Sequence, residues 1–133
     1  MAEKKKLERA DILYPELSYR VVGALFSVFN ALGYGYREKY YQRAIAQELA
    51  IARIPFKQQI AYEIKFKNKI IGRQILDFLI DGKIVLELKR GNRFSKHDIT
   101  QVYGYLKATN LKLAILARFS SKGVIFKRIV NEQ

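Results

Sequence analysis

The stretch "LDFLIDGKIVLELKR", residues 76–90, decides the fold. Two apolar runs flank an Asp81-Gly82 pair, a strong short-range signal for a β-hairpin. Yet Asp77, Glu87 and Lys89 interrupt those runs. Side chains alternate along a strand, so Glu87 and Lys89 share a face with Val85, while Leu86 and Leu88 point the other way into core. On the preceding strand Asp77 shares its face with Ile75 and Leu79. The length of the turn then decides whether the two carboxylates meet. A two-residue Asp81-Gly82 turn pairs Asp77 with Leu86 and sends Asp77 and Glu87 to opposite faces. A three-residue loop, with Gly82 left-handed and a bulge, shifts the register by one and puts Asp77 on the side of Glu87 and Lys89. We take the second register because two carboxylates meeting across a strand pair have a chemical use.

That use is to hold a cation. Two neighbouring carboxylates repel, and burying them unpaired is expensive. A divalent cation removes both difficulties. Mg²⁺ takes hard oxygen ligands, usually one or two carboxylates with waters and substrate phosphate. Asp77 and Glu87 are the candidate metal ligands, and the backbone carbonyl of Leu88 is a third protein oxygen within the same segment. A bound metal lowers the pKa of a water and polarises a phosphate. Lys89 is placed to orient that nucleophile and to stabilise charge growing on phosphorus. The structural alternative is a Lys–carboxylate cluster that only ties the sheet together.

Composition points the same way. The 133 residues suit one domain with one sizeable core, and half of them are hydrophobic. With no cysteine, neither a disulfide framework nor a thiolate metal site is possible. No apolar run approaches the roughly 18 residues needed to cross a membrane. The N-terminal "MAEKKKLERA" lacks the apolar segment of a signal peptide. The expectation is a soluble cytoplasmic protein with no membrane partner. The formal net charge is +13, and the first ten residues, with four basic and two acidic side chains, supply little of it. The basicity belongs to the domain, and nucleic acid is the leading polyanion partner, because neutralised phosphates release counterions. An anionic membrane or an acidic protein could use the same charge.

Periodicity places the other elements. Residues 1–12 read as a basic flexible arm, and 13–133 as a single domain. Apolar residues at Val21, Val22, Leu25, Phe26 and Phe29 mark a helix from Glu16 to Leu32, which "GYG" at Gly33–Gly35 breaks. A second helix runs from Glu38 to Arg53 and is closed by Pro55. "QIAYEIKF", residues 59–66, alternates as a half-exposed strand, and "KNK" is its turn. Residues 70–80 and 84–90 are more uniformly apolar and read as strands buried on both faces. A helix over 95–109 starts at a Ser95 cap with Asp98 in the capping-box position. "LKLAILAR" and "GVIFKRIV" are two final strands. The expected architecture is an α/β sandwich: a three-stranded antiparallel meander, then a crossover helix leading to a strand that lies parallel to one of them.

Further stretches carry a resemblance. "GYREKYY" is Gly35-x-x-Glu38-x-x-Tyr41, preceded by "LGYG" and followed by "RAIAQEL". "FLIDGKIVLELK" and "QVYGYLKATNLKLAIL" follow in order. Together, from Leu17 to Val130, the chain resembles the GxxExxY family, a branch of the PD-(D/E)xK nuclease superfamily. The resemblance implies a restriction-endonuclease-like core of helix, three-stranded meander, helix and strand. It also implies metal-dependent hydrolysis of phosphodiesters in nucleic acid, DNA favoured over RNA, with Mg²⁺ or Mn²⁺, and a possible homodimer to cut both strands. By position, Asp77 corresponds to the first metal-binding acid, Glu87 and Lys89 to the E-x-K element, and Gln101 to the glutamine of the following helix. Glu38 matches the acid on the early helix, and Tyr41 and Tyr105 match supporting tyrosines. Leu76 stands where the superfamily's name has Pro. Arg90, Arg93, Lys96 and the arm's Lys4, Lys5 and Lys6 are candidate phosphate contacts. Tyr34, Tyr36 and Tyr40 could stack on bases, and His97 precedes Gln101 by one helical turn. The alternative function is an inactive nucleic-acid-binding or scaffold domain of the same fold; a basic protein–protein adaptor is a third.

Overall fold

Pro15 opens the first helix, where its missing N–H is no loss. This helix, α1 (Pro15–Leu32), buries Val21, Ala24, Leu25 and Val28 on one stripe. It stops at Gly33, whose φ of 74° is the left-handed region and whose N–H donates to the Phe29 carbonyl at 2.7 Å. Helix α2 (Glu38–Ile51) buries Tyr41, Ile45 and Leu49. The chain then enters β1 (Phe56–Phe66), β2 (Lys69–Ile80) and β3 (Ile84–Leu88), crosses through α3 (Lys96–Thr109), and ends in β4 (Leu113–Ser120) and β5 (Gly123–Val130). The computed structural model describes residues 13–89 and 93–132. The expected arm at 1–12, with Lys4, Lys5 and Lys6, lies outside the described residues, as does Arg90.

The five strands form one sheet in the order β1-β2-β3-β4-β5. Neighbours are antiparallel except β3 and β4, which α3 joins in parallel. Both faces are covered. Helices α1 and α2 cover one, over Phe78, Ile80, Ile84, Leu86, Leu113 and Ile115. Helix α3 covers the other through Val102, Tyr105 and Leu106, over Leu76, Val85, Ala114 and Leu116. This is the expected α/β architecture: a mixed sheet flanked by helices, consistent with a restriction-endonuclease-like core. Among the described residues no helix is long and apolar enough to cross a membrane.

The decisive register is the three-residue one. Ile80 pairs with Ile84, Leu79 with Val85 and Phe78 with Leu86, leaving Asp81, Gly82 and Lys83 as the loop. Asp81 and Gly82 are both left-handed, at φ 52° and 64°, and the Lys83 N–H closes the turn on the Ile80 carbonyl at 2.9 Å. Only a short polar residue and a glycine take that pair of conformations cheaply.

Other boundaries differ from the sequence reading. Helix α2 ends at Ile51, short of Arg53, which sits at φ 59°. Strand β1 begins at Phe56 and β3 stops at Leu88. Strand β4 runs two residues later than expected. Residues 70–75 are not buried on both faces. Strand β3 pairs with only the last three residues of β2, so the outer part of the β1–β2 hairpin leaves the sheet and exposes Ile70, Ile71 and Ile75.

Two glycines test the backbone account. A Cβ at Gly82 would meet nothing within 4 Å but would sit on a left-handed residue. Gly82→Ala should therefore cost about 1–2 kcal/mol through conformation alone. Gly23 is exposed inside α1 and equally open, so Gly23→Ala should stabilise by about 0.5–1 kcal/mol. Urea unfolding of the two variants should move the midpoint in opposite directions.

Candidate active site

Strand pairing between β2 and β3 ends at Phe78 and Leu86, and there side chains replace the ladder. The Asp77 backbone N–H donates to Glu87 Oε1 at 2.8 Å, and the Leu88 N–H donates to Asp77 Oδ2 at 2.7 Å. Each carboxylate satisfies a backbone donor of the other strand. Both groups are buried, Asp77 8% and Glu87 3% exposed. A buried N–H must find an acceptor, so the splayed strands are held open by the same two groups that the sequence marks as anomalous. The next N–H, that of Lys89, points the other way and donates to the Ala117 carbonyl of β4.

Opposite Asp77 the β1 backbone is also irregular. Gln58 pairs with Phe78 and Ile60 with Leu76, while Gln59 between them sits at φ 54°. The side-chain alternation of β2 breaks here. Leu76 and Leu79 both join the core under α3, and Phe78 and Ile80 join the core under α1 and α2. Left-handed backbone at a non-glycine residue costs of order 1–3 kcal/mol and concentrates at functional sites.

Helix α2 reaches the pair through a residue that sequence reasoning missed. Gln42 Nε2 donates to Asp77 Oδ1 at 2.9 Å and to Glu38 Oε1 at 3.2 Å. Glu38 is thus linked to Asp77 across one amide. Gln42 lies four residues after Glu38, on the same helical face, and that spacing was the available signal. Tyr41 supports the approach from the side. Its hydroxyl donates to the Gly33 carbonyl at 2.6 Å and accepts from the Tyr36 N–H at 3.3 Å, and its ring stacks on Phe119 at 4.3 Å.

Lys89 lies between two acids. Its Nζ is 3.7 Å from Glu87 Oε2 and 3.6 Å from Asp98 Oδ1. Asp98 also forms the capping box expected from the sequence: its N–H donates to Ser95 Oγ at 3.0 Å, and its Oδ2 accepts from the Ser95 N–H at 3.1 Å. Burial works against the Asp98 carboxylate, but the Ser95 bonds and Lys89 outweigh it and hold its pKa below the ordinary value. Arg118 of β4 is buried with its guanidinium 4.5 Å above the Phe94 ring and within the field of Asp98. An arginine inside the apolar run "LAILAR" was a signal of the same kind as Asp77.

The remaining candidates stand further off. Gln101 is half-buried one turn beyond Asp98, and no hydrogen bond joins it to the carboxylates among the described residues. Tyr105 is buried edge-on against Tyr62 at 5.3 Å, a packing contact. His97, Arg93 and Lys96 are exposed around the start of α3. Tyr34, Tyr36 and Tyr40 are exposed, with Lys39 5.2 Å above the Tyr40 ring.

Burial, followed by contact with Asp77, pushes the Glu87 carboxyl up from 4.5 to about 8. Two carboxyls this close hold a proton between them or bind a cation, and both donor groups are hard oxygens. Among the described residues no third His, Cys, Asp or Glu closes on the pair. The set therefore suits an ion that keeps part of its water shell, as Mg²⁺ does. The raised pKa has a sign. Between pH 4.5 and 8 the native state holds a proton that the unfolded chain has released, so stability of the metal-free protein falls as pH rises through that window. Glu87→Gln mimics the protonated acid. Its melting temperature should lose that decline, whereas parallel wild-type and variant curves would count against the shift.

A family model described as the PD-(D/E)XK nuclease superfamily matches residues 15–129. No curated protein matches the chain. Among solved structures, one described as a crystal structure of SSO0001 is 14% identical, with 92% of this chain and 80% of that one covered, at a TM-score of 0.46. A likeness that distant carries no argument about the site. The family match runs from the first helix to the last strand, and the chain belongs to the PD-(D/E)XK nuclease superfamily.

Proposed function

We propose that this protein is a metal-dependent nuclease that hydrolyses a phosphodiester bond, in DNA rather than RNA, at Asp77, Glu87 and Lys89. Membership in the superfamily implies nuclease chemistry and a nucleic-acid substrate, and its members generally use divalent metals. The observation that carries the reading is the reciprocal exchange of Asp77 and Glu87 across the parted strands, with Lys89 3.7 Å from Glu87. Asp77 and Glu87 would hold Mg²⁺ or Mn²⁺. The Leu88 carbonyl is the third oxygen, because the Leu88 N–H points at Asp77 and an extended residue sends both its polar groups the same way. When bound, the ion supplies Lewis-acid polarisation of the phosphate and a more acidic water.

The chain's own groups do the rest. In the hydrolysis, water oxygen bonds to phosphorus, an ester P–O bond breaks, and the leaving oxygen takes a proton. Lys89 carries three N–H donors, and its ion pairs with Glu87 and Asp98 hold the ammonium beside the carboxylates. One donor stays available for the attacking water or a non-bridging phosphate oxygen. Asp98 positions Lys89, and Gln42 and Glu38 fix the orientation of Asp77. Gln101 would meet the phosphate from α3, while Arg93 and Lys96 would meet the strand from outside. Tyr41 gives the Gly35-x-x-Glu38-x-x-Tyr41 motif a physical sense, since its hydroxyl fastens the loop that delivers Glu38. That supports placement in the GxxExxY branch. Two copies would cut both strands of a duplex.

Incubating the protein with plasmid in Mg²⁺, Mn²⁺ or EDTA tests the reading. Asp77→Asn, Glu87→Gln and Lys89→Met should each slow cleavage by at least about a hundredfold, the several kcal/mol that such electrostatic groups supply. EDTA should do the same to the wild type. Asp98→Asn and Gln42→Leu should cost about 10–100-fold, as supporting groups do. Cleavage that survives both carboxylate changes, or no cleavage by the wild type of any nucleic acid, would refute the proposal.

A further inference from the structure

The outer half of the β1–β2 hairpin is unused by everything above. Beyond Asp77, β2 pairs with β1 but not with β3, so residues 61–75 project as a two-stranded ribbon about 20 Å long. Its tip is a tight turn with Lys67 and Asn68 left-handed, at φ 48° and 68°. A bulge at Ile64/Lys65 adds twist below the tip. Tyr62 anchors the ribbon's base against Tyr105 of α3.

Its surface is unusual in two ways. Phe66, Ile70, Ile71 and Ile75 are 60, 58, 66 and 54% exposed, and exposed apolar side chains grouped on one element mark an interaction site. Interleaved with them are Lys65, Lys67, Lys69 and Arg73, against the single acid Glu63, which pairs with Arg73 at 3.9 Å. A second copy of this chain would bring the same lysines against each other. Single strands are held by rows of aromatic rings, and the ribbon offers Phe66 with aliphatic neighbours. A-form RNA has a deep, narrow major groove that side chains do not enter. The B-form major groove is about 12 Å wide and admits a two-stranded ribbon, with cations toward phosphates and apolar groups toward thymine methyls.

We propose that the β1–β2 ribbon is a gripping arm that lies in the major groove of duplex DNA. Lys65, Lys67 and Lys69 meet phosphates, and Ile70 and Ile75, which share one face of the ribbon, meet base edges. Strand β2 runs from this arm directly into Asp77, so a duplex held by the ribbon is led to the carboxylates. The inference deepens the nuclease reading by naming its substrate, and it rests on nucleic acid being the partner.

Binding is measured on the full chain carrying Asp77→Asn, so that cleavage and binding are read separately. Fluorescence anisotropy follows a DNA duplex, its single strand and the matching RNA duplex across a salt series. The duplex DNA should bind at least tenfold tighter than either competitor. Replacing Lys65, Lys67 and Lys69 together by Gln should lower the salt slope by about 2–3. Ile70→Thr with Ile75→Thr should weaken duplex binding about tenfold and leave the slope unchanged. Both variants keep the turn, and circular dichroism should show them folded. Duplex affinity within twofold of the parent in both variants, or equal affinity for single strands, would overturn the proposal. So would an effect confined to dimerisation or to binding of anionic vesicles. A wild type that cleaves nothing while its ribbon variants lose duplex binding supports the arm and rejects only the nuclease reading.

Discussion

Two backbone N–H groups, those of Asp77 and Leu88, would be buried without partners where β2 and β3 part, and each is met by the carboxylate of the facing strand. Much of the molecule follows from that exchange. It needs Asp77 and Glu87 in register, which needs a three-residue loop, which needs left-handed Asp81 and Gly82. It needs two acids buried at one point, which pushes Glu87 upward and makes the site a receptor for a proton or a cation. Sheet integrity and the chemistry of the site thus depend on the same four oxygens.

The surroundings restrain those oxygens from three directions. Gln42, held in turn by Glu38, reaches Asp77 from α2, and Asp98 reaches Lys89 from the capped start of α3. The parallel partner β4 fixes Lys89 through its backbone. Gln59, left-handed opposite Asp77, breaks the pleat so that Leu76 and Leu79 fill the core under α3. Rigid elements therefore carry the site, and the left-handed Gln59 places backbone strain directly beside it.

How much of this was legible depended on what each pattern encodes. Element order and the parallel crossover follow from periodicity and from the Ser95–Asp98 cap, both local signals. The β2–β3 register was legible only as a choice between two loop lengths, because Asp81-Gly82 serves either. Gln42 and Arg118 were missed because their partners lie on other elements, and single-sequence patterns report period rather than neighbours. The ribbon was misread for the same reason. "KIIGRQIL" has the apolar density of a buried strand, but its burial depends on β3 reaching it, and β3 stops after five residues.

The exchange itself can be watched directly by NMR of the metal-free protein across pH. The Asp77 amide donates to Glu87, so its chemical shift should titrate with a midpoint near 8. Added Mg²⁺ should move that midpoint down sharply, since the ion takes the proton's place. An Asp77 amide that titrates near 4.5 and ignores Mg²⁺ would contradict the account at its centre.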